Sequence, residues 1–277
     1  MNPADFAHVV KLLQDRSAIA LEPGKEYLVE SRLLPVARRH GLASVAEFIA
    51  KLREPGVNGL LDELVEAMVT TETSFFRDIH PFEALKKTVL PELIAARRSE
   101  RKLAIWCAAA SSGQEPYTLA MVLREWFPEL ATWDIVLQAT DISSTMLDRC
   151  REGVYSQIEV NRGLPAALLV KWFKQEGNRW RVDDSLRRMI DFKQLNLAGR
   201  WPPMPPFDVI FLRNVMIYFE PAMKREILAR MVRSLRPDGY LVLGGAETTL
   251  NLSDAFQPRG FAEVGILSPR AALVRAA

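Results

Sequence analysis

Acidic, amide and guanidinium side chains recur in this sequence where apolar runs end, the places at which a folded chain can turn polar groups toward a ligand. Glu115 lies in ASSGQEP (110–116), just after the apolar run LAIWCAA (103–109). In the first turn of a helix a carboxylate is favoured by the helix dipole, and it is also able to meet a ligand's amino group. The small residues of that stretch let backbone approach a ligand closely, or simply make a tight strand-to-helix turn; it lacks the glycine-rich dinucleotide fingerprint. Asp141 ends QATD, where a carboxylate can accept both hydroxyls of a ribose or cap the helix that follows. Asn196 follows MIDFKQL (189–195), and its amide can read a base edge or bond loop backbone. Arg213 and Asn214 end FDVIFLRN (207–214), two polar groups closing a buried run. In TTETSFFRD (70–78), Thr71, Thr73 and Arg77 offer polar anchors for a ligand; equally, Thr73 or Ser74 could cap a helix while Phe75 and Phe76 fill core.

The elements that must carry these groups follow from periodicity. LAIWCAA and DIVLQAT (134–140) read as buried strands with the helix GQEPYTLAMVLREW (113–126) between them. FDVIFLRN, the helical PAMKREILARMVRSL (221–235) and YLVLGGA (240–246) repeat the alternation. Such succession predicts an α/β fold with a mostly parallel sheet, and ligands of such sheets bind beyond the carboxyl ends of the strands. Between 162 and 196 a helix and two short strand-like pieces, NRWRV and MIDFKQL, interrupt the pattern and read as a small insert. WPPMPP (201–206) is a stiff loop entering a strand. From Asp5 to Ala67 the apolar residues recur at helical spacing, which predicts a small all-helical domain. Pro35 should kink or end its helix between Lys25 and His40.

Composition narrows the function. The formal net charge of the 277 residues is +2, so no global field favours nucleic acid or membrane. Cys107 and Cys150 lie far apart in apolar-periodic segments, as reduced core thiols do, which points to a cytoplasmic home. His8, His40 and His80 do not cluster at ligand spacing, so no metal site is expected. No apolar run approaches the length of a membrane span, and the first residues do not form a signal peptide.

Taken in order, TTETSFFRD, IWCAAASSGQEPYTLAM, ATDIS, FDVIFLRNVMIYF and LRPDGYLVLGGAE resemble the CheR family of chemotaxis receptor methyltransferases, over nearly the whole chain. The resemblance implies a Rossmann-like S-adenosylmethionine-dependent methyltransferase domain over 69–277 with a small antiparallel β-subdomain inserted at about 162–192. A small all-α receptor-facing domain over 1–68 would precede it. It implies cofactor contacts from Thr71, Thr73, Arg77, Glu115, Asp141, Asn196, Leu197, Arg213 and Asn214. Many members have asparagine at the position of Thr71 and an acidic residue at that of Gln114. Tyr218 and Arg77 are the expected groups to orient a glutamate carboxylate for methylation, with S-adenosylhomocysteine as the other product, in sensory adaptation. Arg32, Arg38 and Arg39 are expected to face the receptor's acidic helical bundle. Some members also dock a pentapeptide from the receptor's carboxyl terminus on the β-subdomain. The short turn around Gly177 predicts that this chain does not depend on it. The alternatives are an S-adenosylmethionine-binding sensor or interaction module, or a methyltransferase acting on another substrate.

Overall fold

Unbroken apolar runs need cover on both faces of a sheet. The computed structural model, which describes residues 1–260 and 265–270, supplies it. Its strands are β1 (Lys102–Cys107), β2 (Asp134–Asp141), β3 (Val154–Ser156), β4 (Phe173–Glu176), β5 (Arg179–Val182), β6 (Ile190–Gln194), β7 (Phe207–Leu212), β8 (Leu235–Leu243), β9 (Phe256–Pro258) and β10 (Ile266–Pro269). A seven-stranded sheet runs in the order β6-β2-β1-β7-β8-β10-β9, and a separate three-stranded sheet in the order β3-β5-β4. The first five strands of the large sheet are parallel; β10 runs antiparallel to β8 and to β9. Chain order reverses across β1 and β7, so the connections diverge there and a cleft opens beyond the carboxyl ends of the central strands.

Side chains alternate along each strand and build a core on each face. Ile105, Cys107, Val209 and Phe211 pack on one side with Tyr117 and Ala120 of the helix Gln114–Trp126. Trp106, Ala108, Ile210 and Leu212 pack on the other with Ile227, Leu228 and Met231 of the helix Pro221–Ser234. Each fully buried valine, leucine, isoleucine, phenylalanine or methionine among them contributes about 1.5–3 kcal/mol, so the strand ends that carry the site are firmly held.

The β-subdomain is drawn differently from the sequence reading. MIDFKQL does not belong to it: β6 is an outer strand of the large sheet, paired parallel to β2 from Leu137↔Ile190 to Asp141↔Gln194. A short strand burying only Ile190 and Phe192 carries no mark of which sheet it joins. The small sheet instead recruits Val154–Ser156, upstream of position 162, against NRWRV. Phe75 ties this subdomain to the TTETSFFRD segment, meeting Tyr155 edge-on at 5.0 Å and Phe173 at 5.5 Å between ring centres. The β4–β5 hairpin turns through Gly177 and Asn178 only, with Gly177 at φ 61°.

The amino-terminal domain is built from the helices Pro3–Ser17, Glu26–Arg39, Val45–Leu52 and Asn58–Met68 around their own core. The second helix does not end at Pro35 but continues to Arg39. Pro35 and Ser31 are exposed, so water can meet the carbonyl that Pro35 leaves unbonded, and burial of Val29, Leu33, Val36 and Ala37 outweighs the lost bond. Among the described residues no helix is long and apolar enough to cross a membrane.

Candidate active site

The cleft beyond β1, β2 and β7 gathers residues from every strand end singled out above. Its walls include Thr73, Arg77, Glu115, Asp141, Asn196, Leu197, Arg213, Asn214 and Tyr218. Thr71 is not among them; Thr70 is, and the carbonyl of Thr71 instead accepts a 2.7 Å bond from Ser111 Oγ. Phe75 and Phe76 are core, so TTETSFFRD divides its residues between packing and cleft. Neither Thr73 nor Ser74 caps the next helix, His80–Ala84, which has no side-chain cap. In ASSGQEP, Ser111 and Glu115 reach the cleft, as does Ala109 just before it, whereas Gly113 is pressed against Tyr155: a Cβ there would lie 2.8 Å from Tyr155 Oη.

Electrostatically the site rests on a buried Arg213–Glu115 pair, to which the exposed Asp78 is joined. Arg213 donates to Glu115 Oε2 at 2.6 Å through Nη1, and through Nη2 to the Arg77 carbonyl and Asp78 Oδ2, both at 3.0 Å. Burial pushes the Glu115 carboxyl above its ordinary range, against the pull of the Arg213 charge. Arg77 itself donates to the Glu72 carbonyl at 2.8 Å and is half-buried in the cleft wall.

Asp141 is raised by burial too, opposed by the backbone N–H groups it accepts: Ser111 on Oδ2 at 2.7 Å and Ser143 on Oδ1 at 3.0 Å. It is not the cap of the following helix. Ser143 is, accepting from Met146 N–H at 3.0 Å, and Glu66 of the helical domain takes the N–H of Ser144 at 2.6 Å. The Asn196 side chain bonds backbone, donating to Arg16 O at 2.7 Å and accepting from Ala198 N–H at 3.0 Å, while the residue still lines the cleft.

Two contributors escaped sequence reasoning. Ser17, Ile19, Met68 and Val69 of the helical domain form part of the cleft wall. Glu247, in LGGAE after β8, gathers the backbone beneath Asn214–Met216. A lone acid two residues past a glycine pair was the only signal for Glu247, and local sequence carried none for the helical wall. Of the three arginines, Arg32 is half-buried and donates to Met68 O at 2.6 Å at the domain junction. Arg39 pairs with Glu63 at 3.1 Å, and Arg38 is exposed. All three lie outside the cleft.

Two buried carboxylates, an apolar wall of Ile19, Met68, Val69, Ile142, Leu195 and Leu197, and a strand-end location suit a ligand carrying an ammonium, ribose hydroxyls and a flat base. Together with the parallel sheet they define an S-adenosylmethionine-dependent methyltransferase. Residues 71–264 match the family described as "CheR methyltransferase, SAM binding domain", and residues 4–69 match "CheR methyltransferase, all-alpha domain". The chain belongs to the CheR methyltransferase family. It is 40% identical over 259 residues to chemotaxis protein methyltransferase 1 of Pseudomonas aeruginosa, covering 92% of this chain and 93% of that one. It is 40% identical to the chemotaxis protein methyltransferase of Vibrio parahaemolyticus over 91% of this chain and 92% of that one. With the Escherichia coli chemotaxis protein methyltransferase the identity is 33%, over 94% and 90% of the two chains.

Proposed function

We propose that this chemotaxis methyltransferase acts in the cytoplasm on glutamate side-chain carboxylates of chemoreceptors. When bound, S-adenosylmethionine supplies an electrophilic methyl group on a sulfonium, and attack by a glutamate oxygen leaves a methyl ester and S-adenosylhomocysteine. The reading is carried by Tyr218 and Arg77, a neutral donor and a cation in the cleft wall that also holds the Glu115 and Asp141 carboxylates. A glutamate has an ordinary pKa of about 4.3, so it arrives ionised and needs orientation rather than a strong base. Tyr218 can hold one substrate oxygen by a neutral hydrogen bond while the other attacks. Arg77, already bonded to Glu72 O, attracts the carboxylate without quenching it. Cofactor contacts are assigned to Thr73, Arg77, Glu115, Asp141, Leu197, Arg213 and Asn214, and to the backbone of Asn196; Thr71 acts through its hold on Ser111.

Tyr218→Phe is expected to lower turnover about tenfold, the worth of one well-placed hydrogen bond, with affinity for S-adenosylhomocysteine unchanged. The assay is transfer of base-labile radioactivity from labelled cofactor to a chemoreceptor cytoplasmic fragment. Full turnover would remove Tyr218 from the mechanism. Base-stable label, or none with the wild-type protein, would move the function to another substrate or to sensing.

Receptor recognition is assigned to the helical domain, with Arg38 and Arg39 presented to an acidic bundle and Arg32 bracing the junction behind them. No need for the receptor's carboxyl-terminal pentapeptide is expected. Lys174 and Glu176 stand on the free edge strand β4, Glu176 is paired to Arg181 at 2.8 Å, and the two-residue turn closes the hairpin tightly. Charges on an edge strand discourage an added strand. Removing the tail from the receptor fragment should therefore leave methylation unchanged, whereas charge reversal at Arg38 and Arg39 should slow it about tenfold at low salt. Calorimetric binding of the free pentapeptide near micromolar would contradict the first expectation, and equal rates at low salt the second.

A further inference from the structure

Glu247 spends its carboxylate entirely on main chain. Oε2 accepts the N–H of Asn214 and of Gly244, each at 2.8 Å, and Oε1 accepts Val215 N–H at 2.9 Å and Met216 N–H at 2.8 Å. Three consecutive amides converge on one anion only where the chain curls, and Asn214 supplies the curl with a left-handed φ of 55°. Asparagine tolerates that region better than most residues, yet the conformation still costs free energy and persists because its surroundings impose it. The fit is close on the other side as well. A Cβ at Gly244 would lie 2.7 Å from Asn214 Nδ2 and 2.8 Å from Glu247 Oε2, so the turn after β8 and the stem after β7 meet without room for a side chain.

That stem leads directly into the turn Met216–Tyr218. Beyond it the helical domain takes over: Ala20 N–H donates to Tyr218 O at 2.9 Å, and Ile19 bridges Phe219. The segment bearing Tyr218 is thus clamped at both ends, by Glu247 upstream and by residues 19–20 downstream. We propose that Glu247 is a positioning residue for methyl transfer: its carboxylate fixes the Asn214–Met216 backbone and thereby aims the Tyr218 hydroxyl at the substrate. The proposal rests on the assignment of Tyr218 to the reaction given above.

Glu247→Gln keeps the side chain's length but turns one oxygen into an amide NH2, which donates, so two of the four N–H groups lose their acceptor. Three readouts test the idea. Amide exchange at Asn214–Met216 should quicken about tenfold or more. Affinity for S-adenosylhomocysteine should stay within about threefold while turnover on the receptor fragment falls about tenfold, a loss in kcat and not in cofactor KM. In the Tyr218→Phe background the same change should cost less than about threefold, because the group it aims is already gone. Unchanged exchange, turnover within about twofold of wild type, or an undiminished loss in the Tyr218→Phe background would each overturn the proposal. Full turnover by Tyr218→Phe alone would overturn it together with the assignment it rests on; a large loss there with an unaffected Glu247→Gln would overturn it alone. If Glu247→Gln does not fold, Glu247→Asp keeps both oxygens one methylene further back and gives the same readouts with smaller changes.

Discussion

Alanine at position 141 is expected to weaken S-adenosylhomocysteine binding by about 2–4 kcal/mol, roughly 30- to 700-fold, read by calorimetry. Asp141 reaches the cleft already aimed, because Ser111 N–H and Ser143 N–H hold its two oxygens from the ends of two different loops. A carboxylate has about four acceptor sites, so roughly two remain for ribose hydroxyls. Burial has raised its pKa, which makes those donors more valuable, since they replace water that the charged form has lost. The helix after β2 keeps its own cap in Ser143 and its anchor in Glu66, so its amino terminus does not depend on Asp141. The melting temperature should therefore fall modestly while affinity falls steeply. Unchanged affinity beside a large loss of melting temperature would assign Asp141 to holding the two loops and nothing more.

The site was legible where one strand carried its own signature. LAIWCAA, DIVLQAT and FDVIFLRN are dominated by apolar residues that do not alternate with polar ones, a pattern that cover on both faces explains, and in a parallel sheet that already locates the cleft at Glu115, Asp141 and Arg213. What stayed hidden depends on pairing at long range. β6 reads as part of an insert because Ile190 and Phe192 would suit the edge of either sheet. Nothing in TTET says that Thr70 rather than Thr71 faces the cleft, since this depends on Ser111, forty residues away. Nor does helical periodicity in residues 5–67 reveal that Ile19 and Met68 wall the cleft, because an amphipathic stripe predicts burial and not what is buried against it. At Pro35 the converse holds: the helix does not end there, because the local preference against continuing it lost to tertiary packing of the same helix.

Arg213→Met should destabilise the protein by about 3–5 kcal/mol at pH 8, because it leaves Glu115 buried without its partner. The Arg213 side chain is 1% exposed and that of Glu115 11%, so solvent screening does little to soften the loss. The methionine keeps the volume of the arginine's aliphatic stem, though it loses the guanidinium that lies over the Phe82 ring. The pH dependence carries the distinguishing sign. Burial already raises Glu115 above the ordinary glutamate value with Arg213 present, and loss of that charge raises it further. A carboxyl whose folded pKa exceeds its unfolded one binds more protons when folded, so stability declines as pH rises from about the unfolded pKa through the folded one. The variant's deficit should accordingly be full above the folded pKa and shrink as pH falls toward the unfolded value. Urea unfolding of both proteins at pH 5 and pH 8 measures it. Adding Glu115→Gln should recover part of the loss at pH 8, because the unpaired charge is gone. Affinity for S-adenosylhomocysteine should drop about tenfold or more in Arg213→Met, since Arg213 holds both the Glu115 carboxylate and the Arg77 backbone in the cleft wall and its loss lets them shift. A deficit that is the same at both pH values, and that Glu115→Gln does not relieve, would mean that Arg213 acts through its bonds to Arg77 O and Asp78 and not through Glu115.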